Sequence, residues 1–234
     1  MKAMVLAAGL GTRLRPLTDS RPKALVEVAG RTLLEITLER LRTFDVREVI
    51  INVHHFAEMV VDYLKSHDKF GMRIEISRED VLLDTGGGLK KAGWFFNDDE
   101  PFILHNVDVI STVDLRRMIQ SHIENHPLAT LAVQDRQTSR PLLFNNQLHL
   151  SGRGPAHDPT SLSLAFSGIH VISPRILGML TEEGPFSIIT SYLNLAARGE
   201  TILGFRADEY YWRDLGKPEN IAQASQDFAC RRGL

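Results

Sequence analysis

Residues 9–23 read Gly-Leu-Gly-Thr-Arg-Leu-Arg-Pro-Leu-Thr-Asp-Ser-Arg-Pro-Lys and follow the apolar run Ala3–Ala8. These residue types suit one task, holding a polyphosphate. Gly9 and Gly11 let backbone N–H groups approach a ligand closely. Successive N–H groups in such a loop form a concave anion site. Arg13 adds a planar, always-charged guanidinium that binds phosphate bidentately, and Lys23 adds a second cation. Pro16 and Pro22 stiffen the connection. Two better-known glycine loops are excluded. The dinucleotide fingerprint needs a third glycine where Leu14 stands, and a Walker A loop needs Gly-Lys-Ser/Thr, which does not occur in the chain.

Two carboxylates are the next candidates. Asp108 sits in His105-Asn106-Val107-Asp108-Val109 and Asp214 in Trp212-Arg213-Asp214-Leu215-Gly216, each just past a predicted strand. Converging on one crevice, they would offer Mg2+ the oxygen ligands it takes, shared with substrate phosphates. Alone, either would serve as an ordinary turn or cap aspartate. Thr85-Gly86-Gly87-Gly88 precedes a predicted helix over 89–95. Glycines beside a helix N-terminus permit close approach by a base or sugar.

Other reactive residues take blander readings. His54 and His55 have no third ligand at zinc spacing and read as structural or pocket-edge histidines. His105 reads as a strand-end residue that helps position the Asp108 loop. Trp212, Tyr210 and Tyr211 read as packing rather than base stacking. Ser111 and Ser167 lack a Gly-x-Ser-x-Gly elbow, which argues against a hydrolase.

The elements that must position these groups follow from periodicity. Ala3–Ala8, Val49–Val53, Met72–Ile76, Pro101–Asn106 and Ala129–Val133 read as short buried strands. Between them, Thr32–Phe44, Ala57–Lys65 and Asp114–Ile123 carry apolar residues at helical spacing. The alternation implies an α/β fold with a mainly parallel, Rossmann-like doubly wound sheet, whose ligands sit outside the C-terminal strand ends. The loop at 9–23 and Asp108 should therefore face one crevice. In the second half, Pro141–Phe144 and Gln147–Leu150 flank Asn145-Asn146, a hairpin signal. Gly152–Ser161 reads as a mobile loop, Leu162–Ile172 as a strand and Ser187–Arg198 as a helix. Ile202–Phe205 and Tyr210–Arg213 read as strands, and Pro218–Phe228 as a terminal helix.

Composition narrows the partners. A formal net charge of −2 gives no basic field, so nucleic acid is not an expected partner. No run approaches a membrane span, and no leader pattern opens the chain, so a cytoplasmic protein is expected. The single cysteine, Cys230, excludes a disulfide framework and reads as a small apolar residue on the terminal helix. With no linker-like composition shift, 234 residues fit one domain.

The pattern Gly9-x-Gly11-Thr12-Arg13-x-x-Pro16-x-Thr18-x-x-x-Pro22-Lys23 resembles the signature of the sugar-nucleotide pyrophosphorylases. Asp84-Thr85-Gly86-Gly87-Gly88 and Phe166-Ser167-Gly168-Ile169 resemble most closely the N-acetylmuramate-1-phosphate uridylyltransferases of cell-wall recycling. The resemblance implies the nucleotide-diphospho-sugar transferase fold with a small sugar-binding insertion. It implies a nucleotide-binding half over 1–135 and a sugar-binding, metal-completing half over 136–234. The implied reaction moves a nucleoside monophosphate, uridine by the closest resemblance, from an NTP to a sugar 1-phosphate and releases pyrophosphate. The implied catalytic residues are Arg13 and Lys23. The implied nucleotide site is Leu6, Ala7, Ala8, Gly9, Gly11, Thr12, Arg13, Lys23, Thr85, Gly86 and Gly87. Asn106, Ser167 and Gly168 would meet the sugar, and Asp108 and Asp214 would hold Mg2+. The expected assembly is a monomer or small homo-oligomer. One departure stands out: Val107 occupies the place of the family's usual glycine before the metal aspartate. Two other readings share the loop, a cytidylyltransferase acting on phosphocholine or a similar phosphorylated alcohol, and a non-catalytic sugar-nucleotide sensor.

Overall fold

The N-terminal strand β1 (Lys2–Leu6) is buried along its middle and sits near the centre of a nine-stranded mixed sheet. The structure is a computed structural model that describes residues 1–156, 158 and 160–230; of Cys230 it describes the backbone, so the reading of its side chain lies outside the described residues, as do His157 and Pro159 of the Gly152–Ser161 loop. After β1 come the ribbon β2 (Glu27–Val28) and β3 (Arg31–Thr32), then α1 (Leu33–Thr43). β4 (Glu48–Val53), α2 (Ala57–Ser66), β5 (Arg73–Arg78) and α3 (Asp84–Ala92) follow. β6 (Phe102–Asn106), β7 (Val109–Ser111), α4 (Leu115–Asn125) and β8 (Ala129–Gln134) complete the first half.

The strand order β5-β4-β1-β6 is parallel throughout. From β1 the chain fills one side with β4 and β5, then returns to add β6 on the other side. This reversal makes a topological switch point beside β1, where open α/β sheets bind ligands. Leu6 pairs with both Asn52 and Asn106, so three strand ends stand abreast there. The helices cover the faces with apolar stripes, and α1 and α4 each begin where a side chain satisfies orphan N–H groups. Thr32 Oγ1 accepts from Glu35 N at 3.1 Å, and Asp114 Oδ1 from Arg116 N at 2.9 Å.

The second half is less regular. It contains β9 (Leu142–Phe144), β10 (Leu150–Arg153), β11 (Leu162–Ile172), α5 (Ile188–Ala197), β12 (Ile202–Arg206), β13 (Trp212–Asp214) and α6 (Pro218–Cys230). β11 inserts antiparallel between β6 and β8, and β12 pairs parallel with β8. The doubly wound expectation therefore holds for the first half, while β11 makes the sheet mixed. The hairpin is looser than the Asn145-Asn146 signal predicts. Phe144 pairs with Leu150, so the turn spans five residues, and the second strand starts at Leu150 rather than Gln147. Asn145 Oδ1 holds the turn by accepting from Gln147 N and His149 N, both at 2.9 Å.

The largest correction concerns Gly86, Gly87 and Gly88, which lie inside α3 rather than in a loop before it. Three glycines in one helix cost about 1 kcal/mol each relative to alanine. Close packing offsets this. A Cβ on Gly86 would overlap the Phe186 ring; one on Gly87 would stand 2.7 Å from Gly184 O, and one on Gly88 2.8 Å from Glu79 Oε1. The Phe186 carbonyl accepts from Gly86 N at 2.9 Å and from Gly87 N at 3.3 Å. The glycines let the segment before α5 dock onto α3.

Candidate active site

The loop after β1 is folded by its own buried residues. Leu14 is fully buried beneath it, and Thr18 Oγ1 donates to Gly11 O at 2.9 Å. Gly11 has φ +65°, and a Cβ there would stand 2.9 Å from Thr18 and 3.2 Å from Lys23. Only glycine combines that dihedral with that closeness. The closed loop leaves Arg13 exposed on its outer side and carries the chain back to Lys23, which is only 8% exposed. Lys23 Nζ is ion-paired with Asp108 Oδ2.

These residues line a cavity of about 440 Å³ at the strand ends. Its wall includes Leu6 at the end of β1, Ala7, Ala8, Gly9, Gly11, Thr12, Arg13 and Lys23 from the loop, Thr85 from α3, Asn106 at the end of β6, and Val107 and Asp108 just past it. Gly86 and Gly87 do not reach it, because protein fills the space beside them. Ala7 lines the cavity, but its N–H is taken by Asn52 Oδ1 at 2.7 Å; the N–H groups of Ala8 and Gly9 have no partner among the described residues. Val107, where the resemblance leads one to expect glycine, is 4% exposed and donates its N–H to Leu6 O at 3.1 Å.

Asn52, Glu79 and Gly216 also line this cavity and were missed by sequence reasoning. Asn52 Nδ2 donates to Glu79 Oε1 at 2.7 Å, and Glu79 Oε2 accepts from Leu83 N at 2.9 Å. A signal for Asn52 existed, a lone polar residue near the C-terminal end of the apolar run Val49–Val53. Glu79 had none. His54 does not line the cavity; its Nδ1 donates to the Glu79 carbonyl at 2.7 Å, in keeping with a structural role. His105 Nδ1 donates to Asn106 O at 2.8 Å, the strand-end role expected.

A second cavity of about 470 Å³ adjoins the first and shares Asp84, Thr85 and Asn106 with it. Ser167, Gly168 and Asp214 line it, together with Arg136, Arg140, Arg153, Phe166 and Trp212. Gly168, at φ +77°, lies in the register shift of β11; a Cβ there would press Val109 and Asn106. Ser167 is fully buried, and its Oγ has no hydrogen-bond partner among the described residues. Trp212 is more than packing: its Nε1 donates to Ser167 O at 2.7 Å, and its ring carries the Arg136 guanidinium at 3.6 Å. Burial lowers the Arg136 pKa, and the Asp214 charge opposes that shift.

Asp108 and Asp214 are tied together by backbone. Asp214 pairs with Val109 across β13 and β7, and Leu215 N donates to Asp108 O at 2.8 Å. Asp214 opens on the second cavity and Asp108 on the first. Asp214 Oδ1 accepts from Gly216 N at 2.5 Å. Each carboxylate thus keeps one oxygen without a hydrogen bond. Among the described residues no cluster of three or more His, Cys, Asp or Glu is arranged to hold a metal. A hard cation held by two carboxylates must therefore complete its shell with substrate phosphates and water, which is how Mg2+ is commonly held. The donor set fits that ion.

Gly216 lies at the junction of these groups. A Cβ there would stand 2.6 Å from both Arg13 Nη2 and Asp214 Oδ1. Gly216→Ala is expected to displace both side chains and to lower kcat about 10²-fold, since small misplacements of positioned groups cost that much. An unchanged kcat in steady-state assays would show that neither side chain needs its present position.

The sequence profile described as nucleotidyl transferase matches residues 2–142, more than half of the 234. The chain belongs to the nucleotidyl transferase family. Among curated relatives of this nucleotidyl transferase, an N-acetylmuramate alpha-1-phosphate uridylyltransferase of Caulobacter vibrioides is 37% identical, the match covering 93% of this chain and 92% of that one. A mannose-1-phosphate guanyltransferase of Yarrowia lipolytica is 30% identical over 94% of this chain, which spans only 62% of that protein. A solved UDP-glucose pyrophosphorylase complexed with UDP-glucose has the same fold, with a TM-score of 0.82 and 19% identity, covering 99% of both chains. The sheet of this nucleotidyl transferase is thus the mixed, mostly parallel sheet of nucleotide-diphospho-sugar transferases. No helix among the described residues is long and apolar enough to cross a membrane.

Proposed function

We propose that this nucleotidyl transferase moves UMP from UTP to a sugar 1-phosphate, forming a UDP-sugar and pyrophosphate, with Mg2+ at Asp108 and Asp214. The observation that carries the reading is the pair of adjoining cavities. The first holds the anion loop, Lys23 and Asp108; the second opens beyond Asn106 with room for a sugar. The uridylyltransferase relative, similar over nearly its whole length, supports uridine as the base.

A phosphate oxygen of the sugar 1-phosphate attacks the α-phosphorus in line. The new P–O bond forms as the bond from the α-phosphorus to the bridging oxygen breaks, and pyrophosphate leaves with that electron pair. The attacking oxygen is already ionised near neutral pH, so no general base is required. The barrier is repulsion between two polyanions, and the site's work is positioning and charge neutralisation. Arg13 takes the leaving phosphates, while the N–H groups of Ala8 and Gly9 face the nucleotide. Lys23 exchanges its Asp108 contact for the α-phosphate and the incoming phosphate. The chemistry that Mg2+ supplies at such a site is neutralisation of phosphate charge.

The phosphocholine reading loses its main support. It needs an aromatic cage for a quaternary amine. The Trp212 face carries Arg136, the Tyr210 hydroxyl accepts from Arg117, and the Tyr211 hydroxyl donates to Asp227. The sensor reading rests on Val107 alone, while Arg13, Lys23 and both aspartates remain in place.

Pyrophosphate release with Mg2+ across four NTPs and a panel of sugar 1-phosphates tests the proposal. Turnover with UTP and at least one sugar 1-phosphate is expected. Silence across the panel, with tight UDP-sugar binding by calorimetry, would move the reading to the sensor.

A further inference from the structure

One buried polar group of the second cavity takes no part in the reaction above. His170 lines that cavity, yet the residue is only 1% exposed. A bulge in β11 sets its position. Phe166 pairs with Val133 of β8 and His170 with Leu131, so four steps along β11 match two along β8. Gly168, at φ +77°, lies inside the bulge. Bulges beside active sites commonly re-aim a side chain in this way.

The two ring nitrogens of His170 have different surroundings. Nδ1 lies 3.0 Å from the hydroxyl of Tyr192 on α5. That hydroxyl is fully buried and has no other partner among the described residues. It carries one proton, and a buried O–H that donates to nothing is costly. Tyr192 therefore donates to Nδ1, which places the ring proton on Nε2. Burial raises the Tyr192 pKa well above its ordinary value and lowers that of His170 to about 3, so both groups are neutral.

Nε2 makes no hydrogen bond among the described residues. The side-chain atoms there that are fully enclosed and also unbonded are Arg40 Nε, His105 Nε2, Arg136 Nε and Ser167 Oγ. His170 Nε2 is not one of them, so the small exposed part of this residue includes Nε2, at the cavity wall. The cavity thus meets a neutral N–H donor whose tautomer is fixed from behind.

We propose that His170 is a specificity-determining residue of the transfer: its Nε2–H donates to an uncharged oxygen of the sugar, a hydroxyl or a carbonyl, and Tyr192 is the positioning residue that fixes the donating tautomer. The inference rests on the sugar-1-phosphate reading above. A site built to donate to an oxygen rejects the analogue that lacks it, because the N–H is then left unpaired.

Calorimetry with UDP, UDP-glucose, UDP-N-acetylglucosamine and UDP-N-acetylmuramate tests the proposal. The proteins are the full chain and the variants His170→Gln, Tyr192→Phe and His170→Phe/Tyr192→Phe. UDP reports on the first cavity alone and serves as the control for folding. The double variant replaces both hydrogen-bond partners by apolar rings, which leaves neither one buried and unpaired. It should weaken the UDP-sugar that the unsubstituted chain binds by roughly 10-fold, the cost of one lost hydrogen bond in an enclosed site, and leave UDP within about 2-fold. Tyr192→Phe releases the tautomer and should lose part of the same factor. His170→Gln keeps an N–H donor and should lose less than the double variant. A nitrogen–proton correlation spectrum of the unsubstituted chain should show the His170 proton on Nε2, with a resonance that moves on adding the UDP-sugar and stays in place with UDP. A proton on Nδ1 would overturn the proposal. So would a double variant that weakens UDP-sugar and UDP equally, because the pair would then be structural. An unsubstituted chain that binds UDP and none of the three UDP-sugars would count against the sugar-1-phosphate reading itself and remove both.

Discussion

Lys23→Ala, Arg13→Ala and Asp108→Asn should each lower kcat by at least ~10²–10³-fold, the usual cost of removing one preorganised charge from a transition-state site. Arg13 gives the cleanest case. It is exposed and makes no ion pair among the described residues, so its removal should leave the melting temperature unchanged. A cation on a loop this well tied down has no structural task to lose. Lys23 and Asp108 form one unit, with side chains 10% and 19% exposed. Removing either leaves the other partly buried without its partner, so some stability is lost with activity. The double variant Lys23→Ala/Asp108→Asn should therefore be less unstable than the sum of the singles, while activity stays low. Near-full activity in Arg13→Ala would remove the role assigned to that residue in holding the leaving phosphates.

Acid should unfold the protein well before its surface carboxylates are titrated. His105, His122 and His170 are 0%, 2% and 1% exposed. Burial lowers the pKa of His105 and His122 to about 4 and that of His170 to about 3. Arg40 adds to the shift at His105, His126 and Arg175 add to it at His122, and His105 adds to it at His170. In the unfolded chain each imidazole protonates near pH 6.5. Below that pH the unfolded state binds more protons than the folded one, so stability falls as pH falls. The contribution is intact above about pH 6.5. It is lost through the interval down to about pH 4 for His105 and His122, and to about 3 for His170. Three such groups change stability by up to about 4 kcal/mol per pH unit, against a total of roughly 5–15 kcal/mol for a typical domain. Melting temperature measured from pH 7.5 to 4 should fall steeply below pH 6. His122→Gln should make the fall shallower by one proton. A flat profile down to pH 4.5 would mean that these rings do not stay neutral in the fold.

The loop after β1 could be read directly from the chain because its closure is local. Gly11, Thr18 and Lys23 lie within thirteen consecutive residues, and their mutual contacts close the loop. The parallel half of the sheet was equally accessible, since short apolar strands alternating with amphipathic helices admit few architectures. The Gly86–Gly88 run misled for the opposite reason. Local propensity predicts a loop, but contacts with Phe186 and Gly184, about a hundred residues away, make it a helix. The hairpin at 145–149 shows the same limit on a smaller scale. Asn145-Asn146 announced a turn, while its length followed from the pairing of Phe144 with Leu150.

Spacing along the chain announced a glycine-bearing loop with two cations after the first strand, two aspartates after later strands, and an α/β fold. Tertiary packing placed Asn52 and Glu79 in the wall of the first cavity, brought Asp214 and Arg13 together at Gly216, and laid Arg136 over Trp212. Those facts are distances between residues tens to two hundred positions apart. They depend on where β4, β11 and β13 dock, and no local pattern records that.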